Sequence, residues 1–298
     1  MTDCIAIRTH KWGVEEDRLV AALAPVFGDD IVVAFHNRPE DVQPPVRVAN
    51  FNDRWVRSNK LRPVGDYGWR CGDYALYAAR LAFPEYDRYW LIEPDVLING
   101  DVAAFFAEAA QRPEDGLGVD FRKQSLDENR FVKGLPAGMT PYKATFALTR
   151  FSGKAIDYLL EARRAYSKNT AVGFNRFTND ETFCFSHLAS HTDFTVGGLA
   201  EQMPEWFNRK MFSPDPDRFD RAIFAELGDE NQVCHPVHPL SEFIEAVSKR
   251  VAVNSFAFFR NMGPSFAEMS DDEIKVFADR VGARIYDVAR NLKNKARS

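Results

Sequence analysis

Apolar runs alternate with stretches of helical spacing through much of the chain. CIAIRT (4–9) is a short β-rich run. In VEEDRLVAALAPVF (14–27) the apolar positions recur with helical period and acids fill the first turn, which predicts a helix. DIVVAFH (30–36) reads as a second strand, and the prolines of NRPEDVQPP (37–45) make it a loop. CGDYALYAARLAF (71–83) predicts a helix with Tyr74, Tyr77, Ala78 and Leu81 on one face. DRYWLIEPDVLIN (87–99) then carries a strand, and NGDVAAFFAEAA (99–110) a turn and a short helix capped by Asp101.

The alternation resumes with strand-like GLGVDF (116–121) and KATFALTRF (143–151), the helical GKAIDYLLEARRAY (153–166), and HTDFTVGG (191–198) as a further strand. FSPDPDRFDRA (212–222) reads as a surface loop, and everything from about Leu240 onward as helix. Near-continuous apolar strands separated by helices predict an α/β protein with a mostly parallel sheet covered on both faces. The simplest division is a core domain over 1–240 and a helical extension over 241–298.

Composition narrows the function classes. The 298 residues are 45% hydrophobic and 13% aromatic, with 25 Phe, as expected of a folded chain with a core of large side chains. A net charge of -5 gives no general attraction for nucleic acid, whose binding depends on neutralising phosphates. The four cysteines, Cys4, Cys71, Cys184 and Cys234, show no metal-type spacing and read as reduced core residues. The N-terminus lacks a basic segment leading into a long apolar one, so no signal peptide is expected. No apolar stretch has the length of a membrane span, so no transmembrane segment is expected. The cytoplasm is the expected location. Arg290 to Arg297 read as a solvated basic helix face, with contact to a membrane surface or polyanion as the second reading.

The residues that carry chemistry sit inside the most apolar strand. Alternation places Glu93 and Asp95 on one face with Pro94 on the other, and Pro94 lacks a backbone donor, so regular pairing is ending there. Two adjacent carboxylates at the carboxyl end of a buried strand repel unless a cation separates them, and that edge of an open α/β sheet is where ligands bind. Magnesium or manganese suits such oxygen ligands together with substrate phosphates. The plainer alternative has one acid capping the next helix and the other paired with an arginine such as Arg70 or Arg88.

The segment GWRCGDYALYAARLAFPEYDRYWLIEPDVLI (68–98) resembles the region around the DxD motif of GT-A-fold glycosyltransferases, in its ExD form. The likeness implies a Rossmann-like GT-A fold. It also implies that a sugar moves from a nucleotide-sugar donor, such as a UDP- or GDP-sugar, to a saccharide or other hydroxyl acceptor. A divalent metal, Mn2+ or Mg2+, would be held on the donor diphosphate. Asp95 would then be the main metal ligand, with Glu93 touching the metal, its waters or the ribose. Proline in the middle of the motif departs from the commoner forms.

The same likeness gives roles to other residues. In VCHPVHPL (233–240) His235 or His238 would add a metal ligand, His235 being favoured because it follows apolar Val233 and Cys234 directly. In FTNDETFCF (177–185) Asn179 or Asp180 starts a helix, and Asp180 or Glu181 would act as general base on an acceptor hydroxyl. Both also fit an ordinary helix cap and first turn. Thr9, His10 and Trp12 would contact the base and ribose, joined by Asp73, with Arg70 near phosphate. Two rivals stay open: a sugar nucleotidyltransferase, against which the single Gly of IRTHKWGVEED counts, and a non-catalytic nucleotide-sugar-binding or scaffold protein.

Overall fold

The computed structural model describes residues 2–65, 67–128, 130–169, 173, 176–259 and 270–295. The chain divides into two compact units, Met1–Phe243 and Ile244–Ser298.

The strands, in chain order, are β1 (Asp3–Thr9), β2 (Ile31–His36), β3 (Arg47–Phe51), β4 (Arg88–Ile92), β5 (Leu97–Asn99), β6 (Gly116–Lys123), β7 (Tyr142–Ser152), β8 (Val196–Gly198), β9 (Arg218–Phe219), β10 (Gln232–Cys234) and β11 (Val237–His238). The helices of the first unit are α1 (Val14–Phe27), α2 (Asp53–Ser58), α3 (Tyr67–Arg70), α4 (Asp73–Ala82), α5 (Val102–Ala110), α6 (Gly153–Ser167), α7 (Asp180–Ala189), α8 (Leu199–Gln202) and α9 (Asp220–Leu227). After them come α10 (Leu240–Phe259) and α11 (Asp271–Lys295).

Seven strands form one sheet in the order β3-β2-β1-β4-β7-β6-β8. Six run in one direction, and β7 runs antiparallel to both its neighbours. The chain leaves β1 toward β2 and β3, then returns to place β4 on the other side of β1. The order therefore reverses between β1 and β4, and the crevice outside the carboxyl ends of two such strands is where ligands enter this class of sheet.

Both faces of the sheet are covered, which explains why the strands are apolar without a polar alternation. In β1, Cys4 and Ala6 face one core cluster with Tyr74 and Tyr77 of α4 and Leu159 of α6. Ile5 and Ile7 face the other, with Leu19 and Leu23 of α1 and Phe105 and Phe106 of α5. In β4, Tyr89 and Leu91 join the first cluster, Trp90 and Ile92 the second. Full burial of each such side chain contributes roughly 1.5–3 kcal/mol, so the sheet is the stable part against which the site is held. Gly118 packs at closest approach: a Cβ there would meet Ala144 and the Phe185 ring at 2.6 Å.

Several expectations are corrected. Leu81 is exposed, because the buried run of α4, Asp73 to Ala79, stops two residues before it and Leu81 lies in the last turn of the helix. HTDFTVGG contributes only Val196–Gly198 as strand. FSPDPDRFDRA is not all loop: Arg218 and Phe219 pair with Val237 and His238, and Asp220 opens α9. The short strand β3 and helix α2 follow the proline-rich loop, where periodicity gave no signal.

Candidate active site

Residues from both sides of the switch between β1 and β4 line a cavity of about 280 Å3. Arg8, Thr9, His10 and Lys11 come from the end of β1, Glu15 and Glu16 from the start of α1, and Glu93, Pro94 and Asp95 from the turn after β4. A second cavity, of about 300 Å3, is lined by Lys143, Asn179, Asp180, Glu181 and His235. Arg8 and Glu93 line both.

Glu93 is the last residue after β4 held to the sheet, its N–H donating to the carbonyl of Ala147 at 2.9 Å. A turn follows, closed by Val96 N–H on the Glu93 carbonyl at 3.1 Å, so both acids stand just beyond regular pairing. His235 reaches them from far along the sequence. β10 pairs antiparallel with β5, and the Val237 N–H donates to the Asp95 carbonyl at 2.8 Å. The His235 Nε2 then lies 3.5 Å from Glu93 Oε2 and 3.5 Å from Asp95 Oδ1. One ligand atom from each of Glu93, Asp95 and His235 lies within 4.8 Å of the others.

The state of these atoms fits a cation. Asp95 Oδ1 is buried with no hydrogen-bond partner among the described residues, an expensive condition for a carboxylate oxygen. Burial lowers the His235 pKa, with Asp95 acting against it, so the ring favours the neutral form that carries a lone pair. Two oxygens and one imidazole nitrogen form a donor set that fits a divalent cation completed by water or phosphate.

Arg8, which the sequence reading passed over, ties the two cavities together. Its guanidinium pairs with Glu93 and lies 3.3 Å from Asp180 Oδ2. Asp180 is engaged at both oxygens: Oδ2 accepts the Gly72 N–H at 2.6 Å, and Oδ1 accepts the Glu181 N–H at 2.8 Å. Burial pushes its pKa up to about 7 despite the opposing charge of Arg8. Any Cβ on Gly72 would overlap the Arg8 guanidinium and press on Asp180, so a glycine is required for this approach. The helix N-cap is Asn179, whose side chain accepts from Thr182 N–H at 3.3 Å. Glu181 is half-buried, with its pKa raised by burial and held back by Lys143.

The remaining candidates lie apart from this cluster. His238 is held by Glu15 (Nδ1 to Oε1, 2.6 Å) and faces Asp217 (Nε2 to Oδ1, 3.4 Å), and it is not among the residues whose ligand atoms converge with Glu93, Asp95 and His235. Burial opposes its protonation, but the bond to Glu15 wins and raises its pKa. Thr9 donates to Glu16 Oε1 at 2.6 Å, and Glu16 Oε2 accepts the Gly13 N–H at 2.9 Å, which fixes the start of α1 beside the cavity. Trp12 donates to Asp17 at 2.9 Å and lines neither cavity. Arg70 is buried with its guanidinium 5.7 Å from the Phe131 ring, also outside both. Asp73 is inside the core, 2.7 Å from Arg163, where no ligand reaches. The plainer reading holds in part, since Glu93 does pair with an arginine, but that arginine is Arg8 and not Arg70 or Arg88; Arg88 pairs with Asp3 at 2.7 Å. Arg297 lies outside the described residues.

No protein-family profile matches the chain, and no curated protein sequence matches it. Solved structures do resemble it. One is a glycosyltransferase involved in glycosylation of the major capsid of PBCV-1, at 10% identity and TM-score 0.39, covering 83% of this chain and 99% of that one. A Bacillus anthracis protein, described as a glucose-1-phosphate thymidylyltransferase in complex with a sucrose, has 13% identity and TM-score 0.39, covering 66% and 87%. The 4-diphosphocytidyl-2C-methyl-D-erythritol synthase of Anaerococcus prevotii has 12% identity and TM-score 0.37, covering 66% and 88%. Likeness this distant says nothing of the chemistry at Glu93 and Asp95.

Proposed function

We propose that the chain is a glycosyltransferase that uses a nucleotide-sugar donor, such as a UDP- or GDP-sugar, and a saccharide or other hydroxyl acceptor. Glu93, Asp95 and His235 are the residues that would hold Mg2+ or Mn2+. The observation supporting this is their convergence at the carboxyl end of β4, with Asp95 Oδ1 buried and without a hydrogen-bond partner among the described residues. A cation held there supplies charge neutralisation to a diphosphate leaving group.

The protein's own groups divide the remaining work. The 280 Å3 cavity, with Tyr67 and Phe51 in its wall, takes the nucleoside. The 300 Å3 cavity takes the acceptor, facing Glu181. Glu181 is the better-placed proton acceptor, because both oxygens of Asp180 are already engaged by backbone N–H groups while Glu181 lines the cavity. Asp180 acts as a positioning residue through Arg8. Arg8 in turn holds Glu93 and presents positive charge where leaving-group charge develops.

Thermal-shift measurement with UDP, GDP and CMP, with and without manganese, tests this. A nucleoside diphosphate should raise the midpoint only with the metal, and Asp95→Ala should abolish the shift while circular dichroism stays unchanged. Turnover of that variant should fall by about a thousandfold, the size of losing several kcal/mol of charge stabilisation. Pyrophosphate release from a nucleoside triphosphate would instead indicate a nucleotidyltransferase, and no shift with any nucleotide a protein without this activity.

A further inference from the structure

The 300 Å3 cavity holds a lysine that plays no part in the proposed chemistry. Ala147, whose carbonyl accepts the Glu93 N–H, alternates along β7 with Thr145 and Lys143, and all three line the cavity. Lys143 is thus four residues removed from the edge where Glu93 and Asp95 stand, up to about 13 Å at the rise of a strand. Its side chain is half-buried, and it forms no ion pair or hydrogen bond among the described residues.

The charges around Lys143 say what it awaits. Arg8 is divided between Glu93 and Asp180. Arg122, opposite Lys143 in the β6–β7 ladder, is forked on Glu128 at 2.6 and 3.0 Å. Glu181 and Lys143 feel each other's charge without pairing. Arg70 and Arg130 add to the positive field, their guanidiniums 5.7 and 5.0 Å from the ring centre of Phe131, another lining residue. A half-buried ammonium in such surroundings gives up hydration with no pairing to offset it. A carboxylate or phosphate on a ligand would supply the charge-assisted hydrogen bonds it lacks. The donor diphosphate is the wrong occupant, because at the Glu93–Asp95 edge it would meet Arg8 and the proposed cation instead. A sugar offering a hydroxyl to Glu181 and an anionic group to Lys143 fits both, with Phe131 and Phe146 as apolar walls.

We infer, on the reading that this cavity takes the acceptor, that the acceptor is an acidic sugar whose carboxylate or phosphate is held by Lys143.

Saturation-transfer NMR titrations of the full chain test it, with methyl glycosides of glucose, galactose and mannose, the matching uronic acids and the matching 6-phosphates. At least one acidic series should bind at least about tenfold tighter than its neutral counterparts and weaken with salt. The uronic-acid and phosphate arms tell which anion is seated. Lys143→Gln should lower that affinity at least about tenfold, and Lys143→Arg, which keeps the charge, should recover most of it. Lys154→Gln, beyond the other end of β7, should change nothing. Circular dichroism checks that each variant is folded. Equal binding of charged and neutral sugars, failure of both acidic series to bind, or an acidic sugar held as tightly by Lys143→Gln would each overturn the assignment, while a manganese-dependent nucleotide shift would still uphold the transferase. Acid-selective binding lost in Lys143→Gln, with no nucleotide shift, would uphold the acidic-sugar site at Lys143 and overturn the transferase reading.

Discussion

Two arginine–carboxylate clusters lie back to back across the Gly72–Asp73 peptide, and they differ in access. Arg163 and Asp73 have wholly buried side chains 2.7 Å apart. Arg163 also donates to the Thr178 carbonyl at 2.9 Å and lies 3.7 Å from the centre of the Phe183 ring. Arg8 has side-chain exposure of 12%, opens on both cavities and divides its charge between Glu93 and Asp180. A sealed pair can serve only the fold. An open cation held by two acids can change partners when a ligand brings new charge.

The largest expected effect is on the sealed side. Asp73→Ala leaves Arg163 charged and buried without its partner, and should cost about 3–5 kcal/mol in urea denaturation, with turnover per folded molecule nearly unchanged. Loss of turnover at unchanged stability would reverse the division drawn here. Next is pH. The Asp180 pKa is raised by burial from an ordinary 3.8 to about 7, so its stabilising contribution is full below 3.8 and disappears as pH rises through about 7. Between pH 5 and pH 8 the wild type should lose about 3 kcal/mol relative to Asp180→Asn, read from denaturation curves of both proteins. Parallel curves would mean that Asp180 is ionised throughout. The smallest effect belongs to Arg8→Lys, because a single ammonium cannot replace a fork that spans two carboxylates. Stability should change by less than about 1 kcal/mol while turnover falls roughly tenfold to hundredfold.

The sequence disclosed the sheet because its strands are buried on both faces, so Cys4 to Ile7, Ile31 to Phe35 and Tyr89 to Ile92 are unbroken apolar runs. It disclosed Glu93 and Asp95 because charge at the end of such a run is conspicuous. Arg8 offered the same signal one strand away, on the face of Cys4 and Ala6, and was missed since a single base beside Thr9 resembles an ordinary strand end. Asp73 was misjudged for the opposite reason: its partner, Arg163, is 90 residues distant and nothing local marks the pairing. The short β3 and β9 owe their conformation to neighbouring strands, which local periodicity does not register.

The way His235 is delivered has a consequence for assembly. Glu93 and Asp95 are fixed by the sheet itself, but the imidazole arrives only when β10 lies along β5, closing a loop of roughly 140 residues. A nascent chain ending near Leu227 would hold the complete seven-stranded scaffold and both acids while lacking the nitrogen donor. Competence for the proposed metal would thus be acquired after the sheet, as β10 zips down along β5, and it would be surrendered when that zipper frays.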